Sequence, residues 1–145
     1  MDFFNSIQIS SSGLSAQRLR MNLISGNLAN INTTRTQEGG PFRRKEAIFA
    51  AQSINSTFNK ILTDRQKSQA TGVRVERIYE DQTPPMMKYQ PSHPDANEKG
   101  YVAMPNINPM EEMVNMISAS RGFEANVTAL KAARAMALKA LEIGR

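Results

Sequence analysis

Cysteine and tryptophan are absent from this chain, and histidine occurs once. Without cysteine there are no disulfides and no thiolate metal sites, and the redox compartment is left open. Aromatic residues make up 6% of the sequence, which points away from a large globular core and towards adaptable helix contacts made by the nine methionines. No apolar run is long enough to span a membrane. The N-terminus, Met1-Asp2-Phe3-Phe4-Asn5, lacks the basic and apolar regions of a cleaved signal peptide, so any export is expected to leave it uncut. The single histidine, His93, falls in the proline-bracketed turn Gln90 to Gly100, beside no candidate nucleophile. One imidazole with Asp95 and Glu98 falls short of the four organised ligands of a structural metal site. The expectation is a chain with no catalytic residues, no cofactor and no metal.

What is present is helix, concentrated at the two ends. Asn108-Pro109-Met110-Glu111-Glu112 is a helix start: Asn108 caps, Pro109 suits the first helical position, and Glu111 can close a capping box. From there to Ile143 the only glycine is Gly122 and no proline follows Pro109, giving a rod of about 50 Å. Met113, Met116, Phe123, Val127, Leu130, Ala137 and Leu141 recur with gaps near three and four, interrupted by Ser120 and Arg134. That is a coiled-coil period, and a helix of this length needs another long helix beside it.

The N-terminal segment supplies that partner. Ile7, Leu14, Met21 and Leu28 repeat every seventh residue at one seam position, and Phe3, Ser10, Gln17, Ile24 and Ile31 at the other. Gly13 and Gly26 each cost about 1 kcal/mol against alanine inside a helix, and Asn22, Asn27 and Asn30 are mediocre helix formers. A helix over residues 3–30 is expected, one that needs a neighbour. Gly13 and Gly26 are candidates for close approach of another chain.

Between the helices the chemistry is different. Residues 32–41 are loop-forming throughout, and Gly39-Gly40 lacks the flanking residues of a phosphate loop. Phe42 to Phe49 is a candidate strand carrying the basic cluster Arg43-Arg44-Lys45. Ile54, Phe58, Ile61 and Leu62 have helical spacing within a polar stretch. Val73 to Tyr79 alternates as a strand, Met86 to Tyr89 is a second candidate, and Tyr101 to Asn106 leads, extended, into the C-terminal helix. The expected fold is mainly α, an antiparallel coiled-coil hairpin of residues 1–31 and 108–145 with a small β-rich insert over residues 32–107.

A net charge of +5 admits nucleic acid or an acidic partner. Arg18, Arg20, Arg35, Arg43, Arg44 and Lys45 make the first third basic. They are scattered over three kinds of segment, however, without helix-turn-helix spacing or base-stacking aromatics. A basic coiled-coil nucleic-acid-binding protein is therefore the second reading. The asparagine sequons at Asn32, Asn55 and Asn126 carry no weight.

The two ends together resemble the rod proteins of the bacterial flagellar basal body. The N-terminal match is Ser12 to Arg18, Met21, and Ile24 to Thr33, ending in Leu28-Ala29-Asn30-Ile31-Asn32-Thr33; Gly26 stands where asparagine is usual. The C-terminal match is Glu112 to Arg121 and Glu124 to Val127. Gly39 to Arg44, His93 to Asn97 and Gly100 to Asn106 look like the proximal-rod members in particular. The resemblance implies a non-enzymatic structural subunit that stacks helically with itself and other rod proteins into a hollow, torque-transmitting shaft through which export substrates pass. It implies a position in the basal body within the periplasmic space, contact with the basal-body base and export gate, and export through the flagellar type III apparatus. On this reading the assembly seam is Ile7, Leu14, Met21, Ile24, Leu28, Ile31, Met113, Met116, Phe123, Val127, Leu130 and Leu141. The basic cluster Arg43, Arg44 and Lys45 is expected to pair with acidic groups on adjacent subunits, which would fix register.

Overall fold

The computed structural model describes residues 3–53 and 71–143. The helical spacing read at Ile54, Phe58, Ile61 and Leu62 lies outside the described residues. In chain order the elements are helix α1 (Phe3–Ala29), strands β1 (Lys45–Ser53), β2 (Thr71–Glu80), β3 (Met86–Tyr89) and β4 (Tyr101–Met104), and helix α2 (Pro109–Ile143). The architecture is two long helices with a small middle region of two separate two-stranded antiparallel sheets, β1–β2 and β3–β4.

The helices lie antiparallel along one another. Gly13 faces Asn126, Gln17 faces Gly122 and Asn27 faces Glu112, so one number rises as the other falls by the same step. The start of α2 follows its local chemistry: Asn108 Oδ1 accepts from Met110 N–H at 3.0 Å, and Pro109 opens the helix. The end of α1 is drawn off by Asn30, whose backbone N–H and side-chain Nδ2 both donate to the Gly26 carbonyl. Thr33 N–H then donates to the Asn30 carbonyl, closing a turn.

Strand β1 starts later than the sequence suggests. Phe42 N–H is committed to the Thr33 carbonyl, so pairing with β2 begins only at Lys45 opposite Glu80 and runs to Ser53 opposite Thr71. Ile48 pairs with Arg77 and Phe49 with Val75, leaving Glu76 as the extra residue of a bulge. Both ends of this ribbon are tied to α1. Ser12 Oγ accepts from Val73 N–H at 3.1 Å, and Asn27 bonds the backbone of Lys45.

Strands β3 and β4 pair from Met86 opposite Met104 to Tyr89 opposite Tyr101. Tyr101 to Met104, read as an extended lead-in, is thus a paired strand. Its turn closes through Asn97, whose Oδ1 accepts from the N–H groups of Lys99 and Tyr101. Gly100 has φ +80° there, and a Cβ at this position would stand 2.8 Å from the Tyr89 ring. Thr34 Oγ1 donates to Asp95 Oδ2 at 2.7 Å, tying this turn to the loop after α1. Val102 of β4 and Ile107, just after it, are buried.

Candidate assembly site

Ile24 apart, the fully buried positions of the helix pair are small or polar. On α1 the buried positions are Ser10, Ala16, Ile24 and Asn27; on α2 they are Glu112, Ala119 and Ala133. Following partial burial along α2, one line runs Met116, Phe123, Leu130, Ala137 and the other Glu112, Ala119, Asn126, Ala133. The first is the line read from the sequence. The second is displaced by one residue from the Met113, Ser120, Val127, Arg134, Leu141 line. Ser120 and Arg134 therefore do not interrupt the interface line, because they stand beside it. The physical reason is close approach: α1 brings Gly13 and Gln17 against α2, and at that separation the facing side chains have to be small.

The bulky side chains are outside. Met110, Met113, Val114 and Ile117 follow helical spacing on α2, at 67%, 49%, 64% and 54% exposure. Met136, Leu138, Leu141 and Ile143 are exposed near the other end of α2, and Phe4 near the start of α1. Of the seam residues expected from the sequence, Ile24 is buried and Ile7, Leu14, Met21, Leu28 and Ile31 are half-buried. Met116, Phe123, Val127 and Leu130 are half-buried as well, whereas Met113 and Leu141 face solvent.

Where α1, β1 and α2 meet, a polar node replaces apolar packing. Asn27 and Glu112 are each 1% exposed. The Asn27 carboxamide pairs with one backbone residue in both directions: Nδ2 donates to the Lys45 carbonyl at 3.0 Å, and Oδ1 accepts from Lys45 N–H at 2.9 Å. Nδ2 also donates to Glu112 Oε2 at 2.9 Å. The other carboxylate oxygen, Oε1, accepts from Arg44 Nε at 2.8 Å. Arg44 reaches Glu46 as well, at 3.1 Å. Burial opposes the charge on Arg44, but its hydrogen bond to Glu112 and the charges of Glu112 and Glu46 outweigh that and hold the guanidinium above its usual range. Glu112 lies in the first turn of α2, where the helix dipole adds to the stabilisation of its charge.

The basic cluster is thus engaged within the chain. Arg44 holds the node, Lys45 Nζ pairs with Glu80 Oε1 at 3.0 Å, and exposed Arg43 donates to Gln82. These commitments also remove two of the six cations on which nucleic-acid binding would have rested. His93 Nδ1 accepts from Asp95 N–H at 3.1 Å and so serves its own turn. Among the described residues no group of three or more His, Cys, Asp or Glu side chains could hold a metal ion, and no helix is long and apolar enough to cross a membrane. Sequence reading missed the node. Asn27 reads as a mediocre helix former and Glu112 as part of a helix start; the available signal was a polar residue one turn after seam residue Ile24.

Comparison with known proteins places this geometry. Residues 7–37 match the family described as flagella basal body rod protein, and residues 98–143 match the C-terminal family of the flagellar basal body rod FlgEFG proteins. The flagellar basal-body rod protein FlgC of Borreliella burgdorferi is 46% identical, with 99% of this chain and 98% of that protein covered. FlgC of Bacillus subtilis is 43% identical and FlgC of Salmonella typhimurium 37%, both aligned over 100% of each chain.

Proposed function

The chain belongs to the FlgC family of flagellar basal-body rod proteins, and from that premise we propose how its surfaces build the rod. It is a structural subunit and not an enzyme. Its two helices form a coiled-coil hairpin that packs with copies of itself and with other rod proteins in a helical lattice. The lattice is the proximal part of the axial shaft, which transmits torque and through which export substrates pass. The subunit lies within the periplasmic space, keeps its N-terminus through export, and contacts the basal-body base and export gate.

One observation carries this reading: Met110, Met113, Val114 and Ile117 of α2 face outward, while the fully buried positions of the helix pair are, Ile24 apart, small or polar. Met110, Met113, Val114 and Ile117 are each half to two-thirds exposed, so completing their burial would supply on the order of 1–2 kcal/mol for each. A neighbour that covers them recovers that energy in every subunit, and such contiguous exposed patches mark interaction surfaces. Ile7, Leu14, Met21 and Leu28 on α1, Ile31 in the turn after it, and Phe123, Val127 and Leu130 on α2 complete the seam from half-buried positions.

The test is the pair Val114→Asp and Ile117→Asp, made together. Both side chains are exposed, so helix content measured by circular dichroism should be unchanged. Rods should be missing and the cells non-motile. Motile cells with normal rods would sink the assignment of this face.

A further inference from the structure

Across the α1–α2 contact each helix offers the other one glycine and one amide. The Gln17 carboxamide of α1 lies over Gly122 of α2, where a Cβ would stand 3.2 Å from Nε2. The Asn126 carboxamide of α2 lies over Gly13 of α1, where a Cβ would stand 2.9 Å from Oδ1. On both helices the glycine precedes the amide by one turn, so the exchange is reciprocal. Asn126 is held in place by its own helix, with Nδ2 donating to the Gly122 carbonyl at 2.8 Å. Gln17 Oε1 is buried with no hydrogen-bond partner among the described residues.

Apart from Ile24 and the Asn27–Glu112 bond at one end, the buried contact is poor at specifying alignment. Ser10, Ala16, Ala119 and Ala133 are small, and a seam of small residues packs almost as well after a slip of one heptad. The amides do not. A slip in one direction sets Gln17 against Asn115 and Asn126 against Ser6; in the other, the partners become Ala129 and Arg20. Each of these carries a Cβ where the amide needs a glycine. We propose that Gly13, Gln17, Gly122 and Asn126 are a register lock, the residues that determine which alignment of α1 on α2 the chain adopts. A single polar position that fixes helix register is a well-attested use of buried polarity. Here two amides share the task, each requiring the other helix's glycine. The lock also favours the chain's own α2 over a helix of similar seam on another rod subunit, because a Cβ in place of Gly122 would stand 3.2 Å from Gln17 Nε2 and the amide would have to shift. Register in turn decides how far along the hairpin Val114 and Ile117 are presented; that consequence rests on the proposed docking face, while the lock itself does not.

The chain has no cysteine, so spin labels can be placed at Ser11→Cys and Thr128→Cys, two exposed positions that face each other in this register. Pulsed electron–electron resonance on the full chain should give one narrow distance. Adding Gln17→Ala and Asn126→Ala, leaving Asn27 and Glu112 unchanged, should split it, the new population lying at a longer distance because an axial slip of one heptad, about 10 Å of helix rise, offsets the two labels along the helices. Gly13→Ala should lose the native distance, and Gly13→Ala with Asn126→Ala should regain the helix content that Gly13→Ala loses. A single native distance in the Gln17→Ala/Asn126→Ala chain would show that the node alone sets register and would overturn the proposal. So would a native distance retained in Gly13→Ala, or no defined distance in the labelled parent.

Discussion

Asn27 of α1 and Glu112 of α2, 85 residues apart in the chain, share a buried hydrogen bond of 2.9 Å at the point where both helices meet the insert. Because Arg44 supplies the counter-charge, the node is asymmetric. Its carboxylate is sealed at 1% exposure and its guanidinium side chain is 21% exposed.

That asymmetry orders the outcome of truncating each partner. Arg44→Ala leaves a buried carboxylate without its cation, the situation that typically costs about 3–5 kcal/mol. Glu112→Ala leaves a guanidinium that can reach water and still has Glu46, so it should cost less. Glu112→Gln placed in the Arg44→Ala background should restore part of the lost stability. Urea midpoints of the three variants measure this, and equal losses for Arg44→Ala and Glu112→Ala would contradict it.

Two glycines should respond in opposite directions to alanine. A Cβ at Gly26 would meet nothing within 4 Å, so Gly26→Ala should raise stability by about 0.5–1 kcal/mol, the usual difference inside a helix. Gly100 has φ +80° and the Tyr89 ring above it, so Gly100→Ala should lower stability by more than about 1 kcal/mol. Thermal melts distinguish the two, and a near-ultraviolet change from the Tyr89–Tyr101 pair should accompany the second.

Phe123 and His93 separate packing from turn chemistry. Phe123 is half-buried on the helix contact, and its truncation should cost stability towards the lower end of the ~3–5 kcal/mol seen for fully buried rings. Phe123→Ala should abolish rods and motility while the protein is still made and exported. His93→Ala removes one acceptor from an exposed turn and should leave motility nearly unchanged. A motile Phe123→Ala strain beside a non-motile His93→Ala strain would reverse the assignment.

Within the basic cluster, Arg43 is the residue to test for contact with a neighbour. It is exposed and bonded only to the exposed Gln82 in the contacts described, so Arg43→Glu should leave the monomer's melting temperature within about 0.5 kcal/mol equivalent of the parent. If the residue pairs with an acidic group on an adjacent subunit, rod assembly should fall while export persists. Normal rods from Arg43→Glu would remove it from the interface. Arg44→Glu cannot answer the question, because it would set two carboxylates together inside the node.

The sequence by itself determined what short-range chemistry can determine. Asn108 and Pro109 fix where α2 starts, because capping and a preset φ act within one turn. The alternation from Val73 to Tyr79 marks a strand, Met86 to Tyr89 is legible as a second candidate, and the Met116, Phe123, Leu130, Ala137 line gives one half of the helix contact. The other half was decided only by tertiary structure. Met113 and Leu141 look like interior residues when bulk and period are the sole guides, but Glu112, Ala119, Asn126 and Ala133 are closer to α1. Gly13 and Gly122 let the helices approach until small side chains fit and large ones are turned outward, and no pattern within one helix records that separation. Nor does it record that Asn27 will bond both the N–H and the carbonyl of Lys45, or that Arg44 will reach Glu112 from 68 residues away. A buried polar group is tolerable only where its partners converge, and that convergence exists only once the two helices and the strand have met.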